Sequence, residues 1–326
     1  MPSSLEATVS EVVLPVVDIS KFPRELDAQE LDQLQYHPEF AKLREACKEW
    51  GFFQLVNHGI PVDLLQKAEN GSRNLLSMPT EVKDKASSGK PFDSYFRKGN
   101  YESFHLQDFT SQGSFEQMYA KLCPEGNPNL CEAMAKYVSC VSDLARKITR
   151  LILASLGLDA EVYYHNYFET CRKVLRINGY SLENLSIGEQ VLLPHTDTGC
   201  LTILYQDDVG GLQIRSRDGE WFNVKPLSHS FVVNVGDSLK AWTNGRYRSA
   251  EHRVVCKGCR DRMSIAFFSS FPGETEIWAP EELVDDNNPR RYKPFVYSQF
   301  MHERMSNKES NVRTATLELF ANSKRL

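Results

Sequence analysis

The stretch Val191-Leu192-Leu193-Pro194-His195-Thr196-Asp197-Thr198-Gly199-Cys200-Leu201-Thr202-Ile203-Leu204-Tyr205 decides how the chain is read. Its two ends, Val191 to His195 and Leu201 to Tyr205, are short apolar runs around a small polar centre, so the stretch reads as strand, turn, strand. The same texture recurs at Val174 to Tyr180, Gly211 to Ile214, Trp221 to Val224, Phe231 to Val235, His252 to Val255 and Met263 to Phe268. Eight strands within about 95 residues, parted by turn residues, argue for an antiparallel sandwich or jelly roll rather than a parallel α/β sheet.

Chemistry concentrates in the same region. His195 and Asp197 stand at i and i+2, a spacing that on a strand turns both side chains to one face. His252, on a later strand, can face them across a jelly-roll interior. Two histidines and one carboxylate on one side of a metal leave the opposite positions open, which suits non-haem Fe(II) activating dioxygen, and zinc can occupy the same set. Arg262 and Ser264 share a strand face too, so a guanidinium and a hydroxyl can grip one carboxylate. A buried arginine needs a partner, because an isolated buried charge costs several kcal/mol. A structural Asp or Glu would serve, but a bound dicarboxylate explains more: one end lies at Arg262 and Ser264, the other at the metal.

Upstream, Leu14 to Ile19 reads as a strand and Pro23 to Leu34 as a charged loop or helix. Leu43, Ala46, Cys47 and Trp50 recur at helical spacing and Gly51 supplies a left-handed cap. Phe52 to Val56 then reads as a strand, Asn57-His58-Gly59 as a turn, and Pro61 with Asp63 opens a helix through Ser72 and Leu76. Residues 86–115 mix small, polar and aromatic residues without clear period and are expected to form an irregular segment or lid. A helix from about Asn129 to Leu156 carries Met134, Tyr137, Val141, Leu144, Ile148 and Ile152 on one stripe and should pack against a sheet.

The remaining features narrow the function. Of 326 residues, 38 are Lys or Arg and 43 are Asp or Glu, a net charge of −5 that removes the main driving force for nucleic-acid binding. No run approaches 18 apolar residues, and Glu6 and Glu11 precede the first cation, Lys21, against a secretory signal. The expectation is a cytoplasmic monomer, with the nucleus open as well, that engages neither membrane nor nucleic acid. The eight cysteines are expected to be reduced, and Cys256 and Cys259 to lie in a solvent-facing turn rather than on zinc. Neither GxGxxG nor GxxxxGK[ST] occurs. His58 is read as turn-stabilising; His165, His229 and His302 lack partners at ligand spacing; Trp242, Asn244 and Arg246 are expected to shape the barrel mouth.

Taken together, the 193–204 run, Val209-Gly210-Gly211-Leu212-Gln213, Asn234-Val235-Gly236-Asp237, Thr243-Asn244-Gly245-Arg246, His252-Arg253-Val254 and Arg262-x-Ser264 resemble plant 2-oxoglutarate-dependent dioxygenases. The broad branch holding the gibberellin oxidases is the most similar. Leu14 to Asp18, Trp50 to Ile60 and Tyr292-Lys293-Pro294-Phe295 resemble the same family, so the likeness spans nearly the whole chain. It implies a mainly β, α+β fold: a distorted double-stranded β-helix (jelly roll) core with flanking helices and a helical N-terminal region. By segment this gives an N-terminal dioxygenase region 1–120 within the same globule, scaffold helices 121–170, a catalytic core 171–275 and a C-terminal helical segment 276–326.

The resemblance further implies Fe(II) on His195, Asp197 and His252, and 2-oxoglutarate on Arg262 and Ser264. Asn178 and Tyr180 match the first and third residues of the family's Asn-Tyr-Tyr run, which reach the cosubstrate. The chain departs at Gly179 and has Ser181-Leu182-Glu183 where the family has Pro-Pro-Cys. Dioxygen is the co-oxidant and ascorbate a supporting reductant. The implied reaction oxidises a small-molecule hormone or specialised metabolite, by default through hydroxylation, with a gibberellin as one candidate. The pocket wall is assigned to Ala266 and Phe268 with Tyr101, Phe104 and Phe109 as a lid. Two alternatives remain at this point: a related iron oxidase that does not consume 2-oxoglutarate, and a non-catalytic jelly-roll binding protein.

Overall fold

The structure, a computed structural model, describes residues 9–23, 34, 36–87, 94–107, 114–182, 184–306 and 316–322. The strands are β1 (Glu11–Val12), β2 (Val16–Asp18), β3 (Phe52–Val56), β4 (Ser94–Lys98), β5 (Tyr101–Gln107), β6 (Arg172–Tyr180), β7 (Gln190–His195) and β8 (Leu201–Gln206). They continue as β9 (Leu212–Arg215), β10 (Trp221–Val224), β11 (Phe231–Val235), β12 (His252–Val255), β13 (Arg262–Ser270), β14 (Glu276–Ile277) and β15 (Phe295–Val296). All eight strands expected between residues 174 and 268 are present, their ends within two residues of expectation.

Thirteen of the strands form two facing sheets, one ordered β2-β3-β11-β8-β13-β6-β5-β4 and the other β1-β10-β9-β12-β7, and β14 pairs with β15 apart from them. Register decides what lines the space between them. On the large sheet Tyr180 lies opposite Arg262 and Asn178 opposite Ser264. Phe268 lies opposite Thr202, and Thr202 opposite Asn234. Alternation puts these residues on the interior face and Ile177, Ile203, Val233, Ile265 and Phe267 on the outer one. The outer face belongs to the main apolar core, where the residues are almost fully buried. The interior face stays partly open, with Val174, Arg176, Leu204, Phe268 and Ser270 only half-buried.

Helices cover the outer face. The main ones are α1 (Pro38–Glu45), α2 (Val62–Leu76), α3 (Ser114–Leu122), α4 (Pro128–Ser155), α5 (Asp237–Trp242) and α6 (Tyr297–Ser306). Asn127 caps α4 through its side-chain oxygen, which accepts from the Leu130 amide at 3.1 Å. The apolar stripe of α4, including Met134, Tyr137, Val141, Ile148 and Ile152, is buried in the main core as its spacing requires. After α1 the chain makes one π turn, Ala46–Trp50, and ends at Gly51 with φ +67°. A Cβ there would stand 2.1 Å from the Arg248 carbonyl oxygen, so both conformation and space require glycine.

One expectation is corrected. Within residues 86–115, the described stretch 94–107 forms a hairpin, β4–β5, that extends the large sheet beside β6 instead of an irregular lid. Its outward face, Tyr95 and Phe104, joins the core, and Glu102 on that face is met by Lys83 Nζ and Tyr95 Oη, each at 2.6 Å.

Candidate metal and cosubstrate site

His195 ends β7 and His252 opens β12, and the two residues are direct register partners in the smaller sheet. The histidines therefore stand side by side on one sheet rather than facing across the interior. Asp197 lies beyond the end of β7, so strand alternation does not aim it. The turn is held instead: the Asp237 amide donates to the Asp197 carbonyl at 2.7 Å, and the Ser238 hydroxyl to the Thr198 carbonyl at 2.6 Å. The ligand atoms converge all the same. His195 Nε2 and His252 Nε2 lie 3.9 and 3.8 Å from Asp197 Oδ1, and the three ligand atoms are within 4.8 Å of one another.

The neighbours of these groups leave the right atoms available. His195 Nδ1 is 2.8 Å from the Leu193 carbonyl and His252 Nδ1 is 3.3 Å from that of Ala250. Each carbonyl can take the Nδ1 proton, which turns an Nε2 lone pair inward. Asp197 Oδ2 accepts from Thr202 Oγ1 at 2.6 Å and Asn234 Nδ2 at 2.8 Å, leaving Oδ1 toward the histidines. Burial, then the neighbouring His252, pushes the His195 pKa down, which keeps the ring neutral and able to coordinate. Burial opposes the charge of Asp197, but the two imidazoles and the Asn234 and Thr202 hydrogen bonds outweigh it and hold the carboxyl below its usual range.

On the large sheet Arg262 is 2% exposed. Its Nη2 donates to Gln206 Oε1 at 2.9 Å, its Nη1 lies 3.5 Å from Ser264 Oγ, and its guanidinium stands 4.7 Å over the Tyr180 ring. Asn178 Nδ2 donates to Ser264 Oγ at 3.2 Å, and Tyr101 Oη donates to Asn178 Oδ1 at 2.8 Å. Two buried donors in this group, Arg262 Nε and Gln206 Nε2, have no hydrogen-bond partner among the described residues. Donors buried without acceptors are costly, and a carboxylate would satisfy them. The residues thus fit both implied groups, a divalent metal at the two histidines and Asp197 and an organic carboxylate at Arg262 and Ser264.

The structure brings His195, Asp197 and His252 together, and Arg262, Ser264, Asn178 and Tyr180 together. Ala266 and Phe268 follow Ser264 on the interior face. Tyr101 also faces inward, but it buttresses Asn178 instead of forming a lid. Phe104 is corrected: it faces outward and is completely buried in the main core. Phe109 lies outside the described residues. Trp242 and Asn244 do not shape a barrel mouth. Trp242 packs on Tyr163, Tyr167 and Phe168, while Asn244 Nδ2 donates to the carbonyls of Leu283, Asn288 and Pro289. Arg246 lies 3.7 Å from Asp285. His58 is turn-stabilising as expected: Nδ1 accepts from the Ile60 amide and Nε2 meets the His229 carbonyl. Cys256 is buried and only Cys259 is exposed, so the pair does not share one solvent-facing turn. Thr202, Asn234, Gln206 and Asp237 are parts of the site that the sequence reading left without a role.

No helix among the described residues is long and apolar enough to cross a membrane. Residues 164–270 match the model of the 2OG-Fe(II) oxygenase superfamily, and residues 14–130 that of the non-haem dioxygenase in morphine synthesis N-terminal region. A gibberellin 20-oxidase-like protein of Arabidopsis thaliana is 34% identical over 94% of this chain and 97% of its own. The crystal structure of a rice dioxygenase for auxin oxidation superposes with TM-score 0.80 at 32% identity, covering 94% of this chain and 99% of that one. An Arabidopsis thaliana dioxygenase for auxin oxidation bound to 2-oxoglutarate gives 0.74 at 30%, covering 85% and 100%. With its catalytic fold, its ligand trio and its likeness over nearly the full length, the chain belongs to the 2OG-Fe(II) oxygenase superfamily.

Proposed function

We propose that the protein oxidises, by default hydroxylates, a small-molecule plant hormone or specialised metabolite while converting 2-oxoglutarate to succinate and CO2. His195, Asp197 and His252 hold Fe(II), and Arg262 and Ser264 take the far carboxylate of 2-oxoglutarate, with Asn178 and Tyr180 ordering that end. When bound, the iron supplies dioxygen activation coupled to loss of CO2 from the cosubstrate, one oxygen atom passing to succinate and one to the product. The protein's own part is to hold the ligands in one protonation state, fix the cosubstrate and aim one C–H bond at a water-poor site.

One arrangement supports this reading: Asp197 of the ligand trio is hydrogen-bonded to Thr202 and Asn234 on the large sheet, and the same interior face of that sheet carries a cluster whose buried donors, Arg262 Nε and Gln206 Nε2, await an acceptor. Relatives named for gibberellin and auxin oxidation make such hormones the first substrates to test. Dioxygen is consumed, ascorbate sustains turnover by keeping the iron reduced, and the enzyme works as a monomer in the cytoplasm. The test is to incubate the Fe(II)-loaded protein with 2-oxoglutarate and candidate hormones and count succinate against oxidised product. One succinate per product is expected; turnover without succinate would overturn the reading in favour of an oxidase that spares 2-oxoglutarate.

A further inference from the structure

Gln206, Ser264 and Asn178 stand side by side on one rung of the large sheet, because Ser264 is the register partner of both Gln206 and Asn178. None of the three is charged. With the Tyr180 ring, 4.7 Å away, they surround the guanidinium of Arg262, which is 2% exposed. Acids are close in sequence but turned elsewhere. Asp207 Oδ2 meets Arg73 at 3.1 Å and the Met263 amide at 2.7 Å, Asp208 pairs with Arg260 at 2.9 Å, and Asp261 accepts from the Leu182 amide at 2.9 Å. No carboxylate among the described residues pairs with Arg262, whose Nη2 donates instead to Gln206 Oε1 at 2.9 Å.

A buried cation held by neutral groups is half of an ion pair, and such a charge is costly until the opposite one arrives. The amide at position 206 is suited to keep that half in waiting. A guanidinium nitrogen can only donate, so the Gln206 atom that faces it must be the oxygen, and the amide nitrogen is thereby fixed on the other side. That nitrogen is buried without a hydrogen-bond partner, and so is Arg262 Nε. A glutamate of the same length would instead pair with Arg262 and cancel the charge a ligand carboxylate needs.

We propose that Gln206 is a further cosubstrate-binding residue: its oxygen positions Arg262 without neutralising it, and its Nε2 donates to the far carboxylate of 2-oxoglutarate. This rests on the oxygenase reading above and deepens it. The chain thus places acids on the neighbouring positions and an amide at the one that faces the cosubstrate.

The test uses the full-length protein loaded with Co(II) and calorimetric titration of 2-oxoglutarate and, separately, of oxalate, which chelates a metal but has no far carboxylate. Gln206→Met keeps the side chain's length and removes the amide, so the Kd for 2-oxoglutarate should rise by roughly 20-fold, the usual effect of losing a hydrogen bond to a charged group. The Kd for oxalate should stay within about 3-fold of wild type. Gln206→Glu should raise the Kd for 2-oxoglutarate by about 100-fold while raising the melting midpoint of the metal-free protein by about 1–3 °C, because an internal ion pair takes over the guanidinium. Affinity lost and stability gained in one variant is a combination that a merely structural glutamine would not give. An unchanged Kd for 2-oxoglutarate in Gln206→Met, an equal loss for oxalate, or a Gln206→Glu variant that binds 2-oxoglutarate like wild type or melts below it would overturn the proposal. Failure of the wild-type protein to bind 2-oxoglutarate at all would instead overturn the oxygenase reading beneath it.

Discussion

Arg304, on α6, donates through Nη2 to the carbonyl of Thr196, the residue between the candidate metal ligands His195 and Asp197. Its Nη1 reaches Thr196 Oγ1 at 3.1 Å and Asp237 Oδ2 at 2.9 Å, and both charged side chains are less than 10% exposed. Helix α6 is thereby fastened to the ligand turn. Arg304→Ala should weaken Co(II) binding by roughly 10- to 100-fold, the usual effect of losing an outer partner of a ligand, and lower stability by about 3–5 kcal/mol because Asp237 is left buried without its cation. Calorimetric metal titration beside a denaturant melt checks both, and Arg304→Lys should restore much of the stability. An unchanged metal affinity would reduce the contact to packing.

His252→Ala and Arg262→Ala should separate the two halves of the site. The first removes one of the ligand trio and should abolish metal binding and turnover together. The second should retain Co(II) affinity while raising the 2-oxoglutarate requirement by about 100-fold, as expected for loss of a charged partner. Retained turnover in His252→Ala would count decisively against the ligand assignment.

Tyr101→Phe removes the donor that Asn178 Oδ1 accepts at 2.8 Å. A buried acceptor left unsatisfied costs about 1–3 kcal/mol, and Asn178 in turn donates to Ser264. The expected outcome is a KM for 2-oxoglutarate raised by about 5- to 10-fold with kcat little changed, that being the part of this cost felt at the carboxylate. Steady-state kinetics with varied cosubstrate reads the split, and a fall confined to kcat would contradict it.

The cysteines should differ widely toward iodoacetamide at pH 8. Cys259 is exposed and should be alkylated first, whereas Cys47 is fully buried and burial pushes its thiol up to about 12. Brief labelling followed by peptide mass spectrometry checks the order, and early modification of Cys47 would mean that the α1 region opens readily.

The barrel strands were legible because they are short apolar runs parted by turns that carry glycine, asparagine and aspartate. The hairpin was not, because its pattern is broken on both faces. Ser103, His105 and Gln107 make its inward side polar, and Glu102 sits on the apolar side, where the ion pair with Lys83 makes a charge tolerable. That His195, Asp197 and His252 converge was readable from the sequence, but the means of convergence was not. Asp197 owes its direction to hydrogen bonds with nearby Thr202 and with Asn234 and Asp237, the last two on segments distant in the chain. Arg304 lies 108 residues from Thr196 and carries no local signal at all. Gly179, which stood out as a departure, acts behind the barrel. A Cβ there would come within 2.8 Å of Leu76 Cδ2, so it sets how closely α2 packs on the sheet.

The placement of the hairpin at the sheet's end also bears on how this enzyme can diverge. Tyr101 faces inward and Phe104 outward only because β5 keeps its present pairing with β6. A single inserted or deleted residue between Tyr101 and Phe104 would exchange the faces of the residues beyond it, driving a phenyl ring toward the cosubstrate or a phenol into the core. Gene variation that alters length in this stretch is therefore tolerable only two residues at a time. Changes of side chain on the inward face remain open to selection for new substrates.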